Sequence, residues 1–219
     1  MTPPSMLLSR LHYPVGNLGY GVRAGVWFQG CTVGCRGCLA RDTWPADERT
    51  RCDVERVLSW LRGIDGPLDG VTVSGGEPTD QPTALRALLE GIRRTDHPLP
   101  LDILLYSGRS RQRLEERFDW LTGLVDVLVS EPFVAARAGA DALRGSSNQR
   151  VHVLSELGAQ RYHEAALRTT FAAQRRELGV HVDGECVRLV GIPLPGATDA
   201  LGRALTARGV EVRDASWLA

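Results

Sequence analysis

Arg23-Ala-Gly-Val-Trp-Phe-Gln-Gly-Cys-Thr-Val-Gly-Cys-Arg-Gly-Cys38 begins as a strand and ends as a loop of thiols. Val26, Trp27 and Phe28 give Arg23 to Gln29 its β-branched and aromatic character, and the run passes directly into Cys31, Cys35 and Cys38. The intervening Thr32, Val33, Gly34, Arg36 and Gly37 are small or polar and predict a loop, and its two glycines let the backbone wrap closely around a bulky object. Three thiolates can hold three corners of an iron–sulfur cube, whereas a conventional four-iron cluster takes four cysteines. One iron would then stay open to another ligand. The competing reading is a structural zinc site, which needs a fourth ligand from Cys52, Cys186 or a distant histidine.

Outward from this loop the chain alternates helix and strand. Val54, Val57, Leu58 and Leu61 fall at i, i+3, i+4 and i+7, which predicts a helix over Asp53 to Ile64, broken by Gly66-Pro67. Val71 to Ser74 reads as a strand that ends on glycines. Leu85, Leu88, Leu89 and Ile92 mark the next helix, with Pro82 in its first turn. Leu101 to Tyr106, Val125 to Ser130 and Arg150 to Leu154 repeat the strand signal, with a charged helical stretch at Arg111 to Trp120. The alternation predicts an α/β fold with mostly parallel strands and outer helices. Beyond Ser155 we expect an arginine-rich helix over Gln160 to Leu178, a hairpin turning at Asp183-Gly184, and a last helix over Thr198 to Arg208. No repeat or linker composition divides the 219 residues, so a single domain is expected.

Lys+Arg and Asp+Glu both number 26, so net charge gives no reason to expect nucleic acid or an anionic membrane as partner. No lysine occurs, which excludes Schiff-base chemistry on an ε-amine. No stretch has the length of a membrane span or the pattern of a signal peptide. Five cysteines, three of them clustered, suit metal binding in a reducing compartment, and a cytoplasmic protein is expected. Cys52 and Cys186 read as buried small hydrophobes.

The spacing Cys31-x3-Cys35-x2-Cys38 resembles the signature of radical S-adenosylmethionine enzymes, and Gly75-Gly76-Glu77-Pro78 resembles their Gly-Gly-Glu motif. Phe28-Gln29-Gly30, Asp42-Thr43-Trp44, Val125 to Val129 with Pro132-Phe133, and Leu143-Arg-Gly-Ser-Ser-Asn-Gln-Arg150 look like segments of activating enzymes for anaerobic (class III) ribonucleotide reductase. That match spans about residues 20–153, leaving a divergent part at about 155–219.

The resemblance implies a partial (β/α)6 barrel of about six parallel strands, with the C-terminal hairpin and helix appended. It implies a [4Fe-4S] cluster on Cys31, Cys35 and Cys38, with the amino and carboxylate groups of S-adenosylmethionine on the open iron. Reductive cleavage would then yield a 5′-deoxyadenosyl radical. Glu77 is expected to accept the amino group, beside Gly75, Gly76 and Pro78. Ser107 and Ser130, at strand ends, are candidate ribose or carboxylate contacts, and Asn148 offers an amide. Flavodoxin or ferredoxin is the implied electron donor and a glycyl-radical enzyme the implied partner. Two departures stand out: Leu39 replaces an aromatic residue beside the third cysteine, and Ser130-Glu131 replaces Asp-Gly before Pro-Phe. The alternatives are a radical enzyme acting directly on a small molecule or peptide, and a zinc-stabilised binding module without catalysis.

Overall fold

The computed structural model describes residues 4–139, 141–174, 177–184 and 186–216. In chain order the principal elements are β1 (Ser5–Val15), β2 (Arg23–Phe28), β3 (Arg51–Asp53), α1 (Val54–Arg62), β4 (Gly70–Gly75), α2 (Pro82–Arg93), β5 (Asp102–Tyr106), α3 (Arg111–Arg117), α4 (Leu121–Leu124), β6 (Val127–Ser130) and β7 (Arg150–Val153). There follow α5 (Glu156–Arg161), α6 (Glu164–Arg168), α7 (Thr170–Gln174), β8 (Gly179–Asp183), β9 (Cys186–Val190) and α8 (Ala197–Thr206).

One seven-stranded sheet runs in the order β3-β1-β2-β4-β5-β6-β7, and β8 and β9 form a separate hairpin. Strands β2, β4, β5 and β6 pair in parallel. The α/β, mostly parallel class therefore holds, but the parallel run is four strands rather than six. Strand β7 returns antiparallel to β6. A parallel return needs a crossover, usually a helix, and the helical structure among the described residues of 131–149 is the short 3-10 turn Ala135–Arg137. Strand β1 has no counterpart in the sequence reading because two register irregularities and Pro14 break its period.

Alternation along the parallel strands sorts side chains between two layers. Ala24, Val26, Phe28, Val71, Val73, Ile103, Leu105 and Leu128 pack against Val57, Leu58 and Leu61 of α1 and Leu85, Leu88, Leu89 and Ile92 of α2, all buried. The apolar stripes of these two helices are those that the periodicity predicts. On the opposite face Leu104, Val127 and Val129 meet Tyr162 and Phe171, whose rings stack at 5.0 Å. The arginine-rich stretch is thus three short helices rather than one, and it covers the second face of the sheet. Cys186 is exposed and Cys52 half-buried, against the expectation that both are core residues.

At the amino ends of the parallel strands this second face is closed by a buried polar floor. Arg23 and Asp102 are both solvent-free and pair at 2.8 Å. Arg23 also donates to Thr72 Oγ1 at 2.7 Å and to the Val71 carbonyl at 2.9 Å. Asp102 accepts from Tyr162 Oη at 2.9 Å and Arg161 at 2.8 Å, which sews the end of α5 into the sheet. Burial raises the Tyr162 phenol well above its ordinary value and keeps it neutral. Asp102→Ala leaves a buried guanidinium without its counter-charge, so urea unfolding should show a loss of about 3–5 kcal/mol. A change too small to resolve would contradict this role.

Candidate functional site

Four loops meet at the carboxyl ends of the parallel strands, where ligands gather in open α/β sheets. The cysteine loop leaves β2 at Phe28 and returns upon itself. Gly30 N–H donates to the Thr43 carbonyl at 2.8 Å and Cys31 N–H to that of Trp44 at 3.0 Å. The buried Gln29 amide donates to the carbonyls of Asp42 and Pro45 at 2.9 and 2.8 Å. The flanks Phe28-Gln29-Gly30 and Asp42-Thr43-Trp44 are therefore the two sides of one clasp. Gln81 ties this base to β1, accepting from Leu7 N–H at 2.6 Å and donating to the Gln29 carbonyl at 2.8 Å.

The loop after β4 presses against this clasp. Gly76 and Glu77 donate backbone N–H groups to the carbonyls of Phe28 and Gly30 at 2.8 and 2.9 Å. A Cβ on Gly76 would stand 2.1 Å from the Gly30 carbonyl oxygen, so only glycine permits the approach. The loops after β5 and β6 complete the surround. Val33 lies over Gly108, and Phe133 and Ala135 lie over Gly37.

Cys31, Cys35 and Cys38 are all half-buried. Burial pushes the Cys31 and Cys35 thiols up, while backbone groups of Gly34 and Val33 toward Cys31, and of Phe133 toward Cys35, favour the thiolate. Ala40 N–H reaches Cys38 Sγ at 3.4 Å. Cys38, Cys31 and Glu77 each act electrostatically on Cys35, so thiols and carboxylate share one neighbourhood. Among the described residues no group of three or more His, Cys, Asp or Glu side chains is arranged around a single ion. In a cubane each thiolate meets a different iron, so the sulfurs need not converge on one point. Three thiols with backbone donors on a glycine-bearing loop are a donor set that fits such a cluster.

Glu77 is fully buried, and its carboxylate is turned inward. Oε1 accepts from Thr79 N–H at 3.1 Å, Thr79 Oγ1 at 2.6 Å and Ser107 Oγ at 2.9 Å, while Oε2 accepts from Gly108 N–H at 2.8 Å. Desolvation raises its pKa and these donors oppose the rise. Pro78, also buried, opens the short turn Pro78–Asp80 that carries Thr79. Ser107 belongs to this network and is itself buried.

Ser130 is not in the mouth. It alternates onto the face of Leu128, is solvent-free, and its hydroxyl meets His152 Nε2 at 2.9 Å. Asn148 reaches the site indirectly. Its Nδ2 donates to the Pro132 carbonyl at 2.8 Å, Ser146 Oγ accepts from Val134 N–H at 3.1 Å, and together they brace the segment bearing Phe133. The Asn148 Oδ1 atom is buried and has no hydrogen-bond partner among the described residues. Glu131, at the position where the activating-enzyme pattern has glycine, holds φ +82° and so keeps the left-handed backbone without the residue that adopts it freely.

The sequence alone assigns no role at the site to Gln29, Thr32, Thr79, Asp80, Gln81 or Arg109, although Gln29 and Thr32 stand in the stretches that mark it. A signal existed for the last: Arg109 follows a strand's carboxyl end by three residues, in the same turn as Ser107.

Residues 17–152 match the family model described as "4Fe-4S single cluster domain". The anaerobic ribonucleoside-triphosphate reductase-activating protein of Vibrio cholerae is 30% identical over 147 residues, covering 64% of this chain and 94% of its own length. The pyruvate formate-lyase-activating enzyme of Streptococcus mutans is 32% identical over 116 residues, 51% of this chain and 44% of that one. Among solved structures, QueE from Escherichia coli aligns over 94% of this chain and 92% of its own at 14% identity, with a TM-score of 0.45.

Two substitutions check the loop network. Glu77→Gln removes an acceptor from a buried set of donors and should cost about 1–3 kcal/mol in denaturant unfolding. Glu131→Gly relieves a left-handed conformation worth about 1–2 kcal/mol against glycine's entropic cost of about 0.5–1 kcal/mol. A net gain in melting temperature is expected.

Proposed function

Because the chain belongs to the 4Fe-4S single cluster domain family, and within that to the radical S-adenosylmethionine enzymes of activating type, we propose that it makes a glycyl radical on a large partner enzyme of the anaerobic ribonucleotide reductase kind. The supporting observation is the meeting of three thiols and the Gly75-Gly76-Glu77 turn at one sheet edge, in a chain that covers 94% of a reductase-activating protein's length.

Cys31, Cys35 and Cys38 hold the [4Fe-4S] cluster in this reading. With S-adenosylmethionine bound, that group supplies one-electron cleavage to a 5′-deoxyadenosyl radical. The residues around it position and shield. Gly75 and Gly76 offer backbone without side chains where the cofactor's amino acid end approaches. Glu77, whose four acceptor contacts lie inside the protein, acts by holding the turn after β4 to the turn after β5 rather than by reaching outward. Ser107 serves the same network. Asn148 acts from behind by bracing the Pro132-Phe133 segment, while Ser130 takes no part. Flavodoxin or ferredoxin supplies the electron, and the protein works in the cytoplasm; among the described residues no helix is long and apolar enough to cross a membrane.

A second reading, direct action on a small molecule or peptide, draws on the part of the chain beyond the family match. Tyr162 and Phe171 fill the second face of the sheet, and Ser216 Oγ donates to the Leu39 carbonyl at 2.5 Å, next to Cys38. Ser216, held beside the cysteine loop, is the one of these that could narrow the mouth into a substrate pocket.

Anaerobic reconstitution with iron and sulfide, reduction and addition of S-adenosylmethionine should yield 5′-deoxyadenosine, and Cys31→Ala, Cys35→Ala and Cys38→Ala should each abolish it. Adding a glycyl-radical reductase should produce a glycyl radical signal in electron paramagnetic resonance. Turnover on a small substrate with no such signal would favour the second reading, and a fully loaded protein that forms no 5′-deoxyadenosine would defeat both.

A further inference from the structure

Arg109 touches every loop of the mouth. Its backbone N–H donates to Ser107 Oγ at 3.1 Å, and its carbonyl accepts from Glu131 N–H at 3.1 Å in the loop after β6. Its guanidinium donates from Nε to Thr79 Oγ1 at 3.2 Å, and from Nη2 to Thr32 Oγ1 at 2.8 Å and to Asp80 Oδ1. The other Asp80 oxygen accepts Thr32 N–H at 2.7 Å. Thr32, the neighbour of Cys31, is thus held at its backbone by Asp80 and at its side chain by Arg109. Thr79 Oγ1, which donates to Glu77, takes the Nε bond on its other side. The side chains of Arg109 and Asp80 are only 14% and 18% exposed, which shelters the ion pair between them, while Thr32 lies on the exposed side of the cluster. A planar fork can serve three acceptors on two loops at once, which an ammonium cannot do in the same geometry.

We propose that Arg109 is a positioning residue for the cluster: through Thr32 it locks the Cys31 end of the cysteine loop against the turn after β4, so the loop holds its binding shape before iron arrives. The proposal rests on the reading of Cys31, Cys35 and Cys38 as cluster ligands. A preformed loop pays its ordering entropy during folding rather than at metal binding.

The test uses the full chain, metal-free and reconstituted, as wild type, Arg109→Met, Arg109→Lys, Thr32→Val and the Met/Val double variant. Hydrogen exchange of amides 31–38 in the metal-free protein should quicken about tenfold in Arg109→Met. Uptake of ferrous iron and sulfide at limiting concentration should fall several-fold, with little change in melting temperature. Thr32→Val should reproduce the loss, the double variant should be no worse than either single, and Arg109→Lys should recover part of it. Unchanged exchange across 31–38, strictly additive losses, or iron loss that only tracks melting temperature in all variants would overturn the proposal. Exchange and iron uptake require no turnover, so a protein that makes no 5′-deoxyadenosine still reveals whether Arg109 shapes the loop.

Discussion

The pair between Arg23 and Asp102 sets the terms for the rest of the molecule, because neither charge touches solvent and each must be answered by the protein alone. The answer comes from the starts of β2, β4 and β5 and from the end of α5. Parallel strands pair without a connecting turn to set their register. Here the fork of Arg23, reaching Thr72, Val71 and Asp102 together, is satisfied in a single alignment of three strands. The same residues recruit Tyr162 and Arg161, so the segment after β7 is bound to the sheet by the floor rather than by a long apolar stripe.

The mouth at the other end of the strands is built on a different principle. The floor uses opposite charges with all valences satisfied, whereas the mouth uses backbone. Gly76 lets the β4 turn contact the cysteine loop at main-chain distance, and backbone groups of Gly34, Val33 and Phe133 favour the thiolates of Cys31 and Cys35. Side chains enter as braces: Glu77 gathers two turns from within, and Gln29 and Gln81 close the base of the loop. Within that braced rim the thiols share one neighbourhood, Cys31 and Cys38 each acting electrostatically on Cys35.

Much of this was legible in the chain. Val54 to Leu61 and Leu85 to Ile92 repeat at helical spacing and are buried as that spacing requires, and Val71 to Ser74 runs into its glycines where expected. The three cysteines and Gly75-Gly76-Glu77 could be placed at one edge because each follows a strand's carboxyl end. The direction of a side chain could not be read in the same way. Ser107 lies one residue past β5 and turns into the Glu77 network, whereas Ser130 is still paired within β6 and meets His152, and that depends on where each strand ends. Glu77 was expected to point at a ligand, but its orientation depends on Thr79, Ser107 and Gly108, whose approach is tertiary. Strand β1 was hidden by its bulges and Pro14, and the direction of β7 by a connection whose described residues form no α-helix.

The position of the cysteine loop has a consequence for the order in which the protein can be made. The loop leaves β2, early in the chain and central in the sheet, and its supports lie far downstream: Thr32 reaches 48 residues to Asp80 and 77 to Arg109, and the Phe133 segment follows later still. Synthesis proceeds from the amino end, and contacts of such separation form only after the intervening chain has been delivered. On the ribosome, the thiols emerge well before the loops that shelter them. Throughout that interval Cys31, Cys35 and Cys38 are carried on an unsupported segment that the fold does not yet shelter.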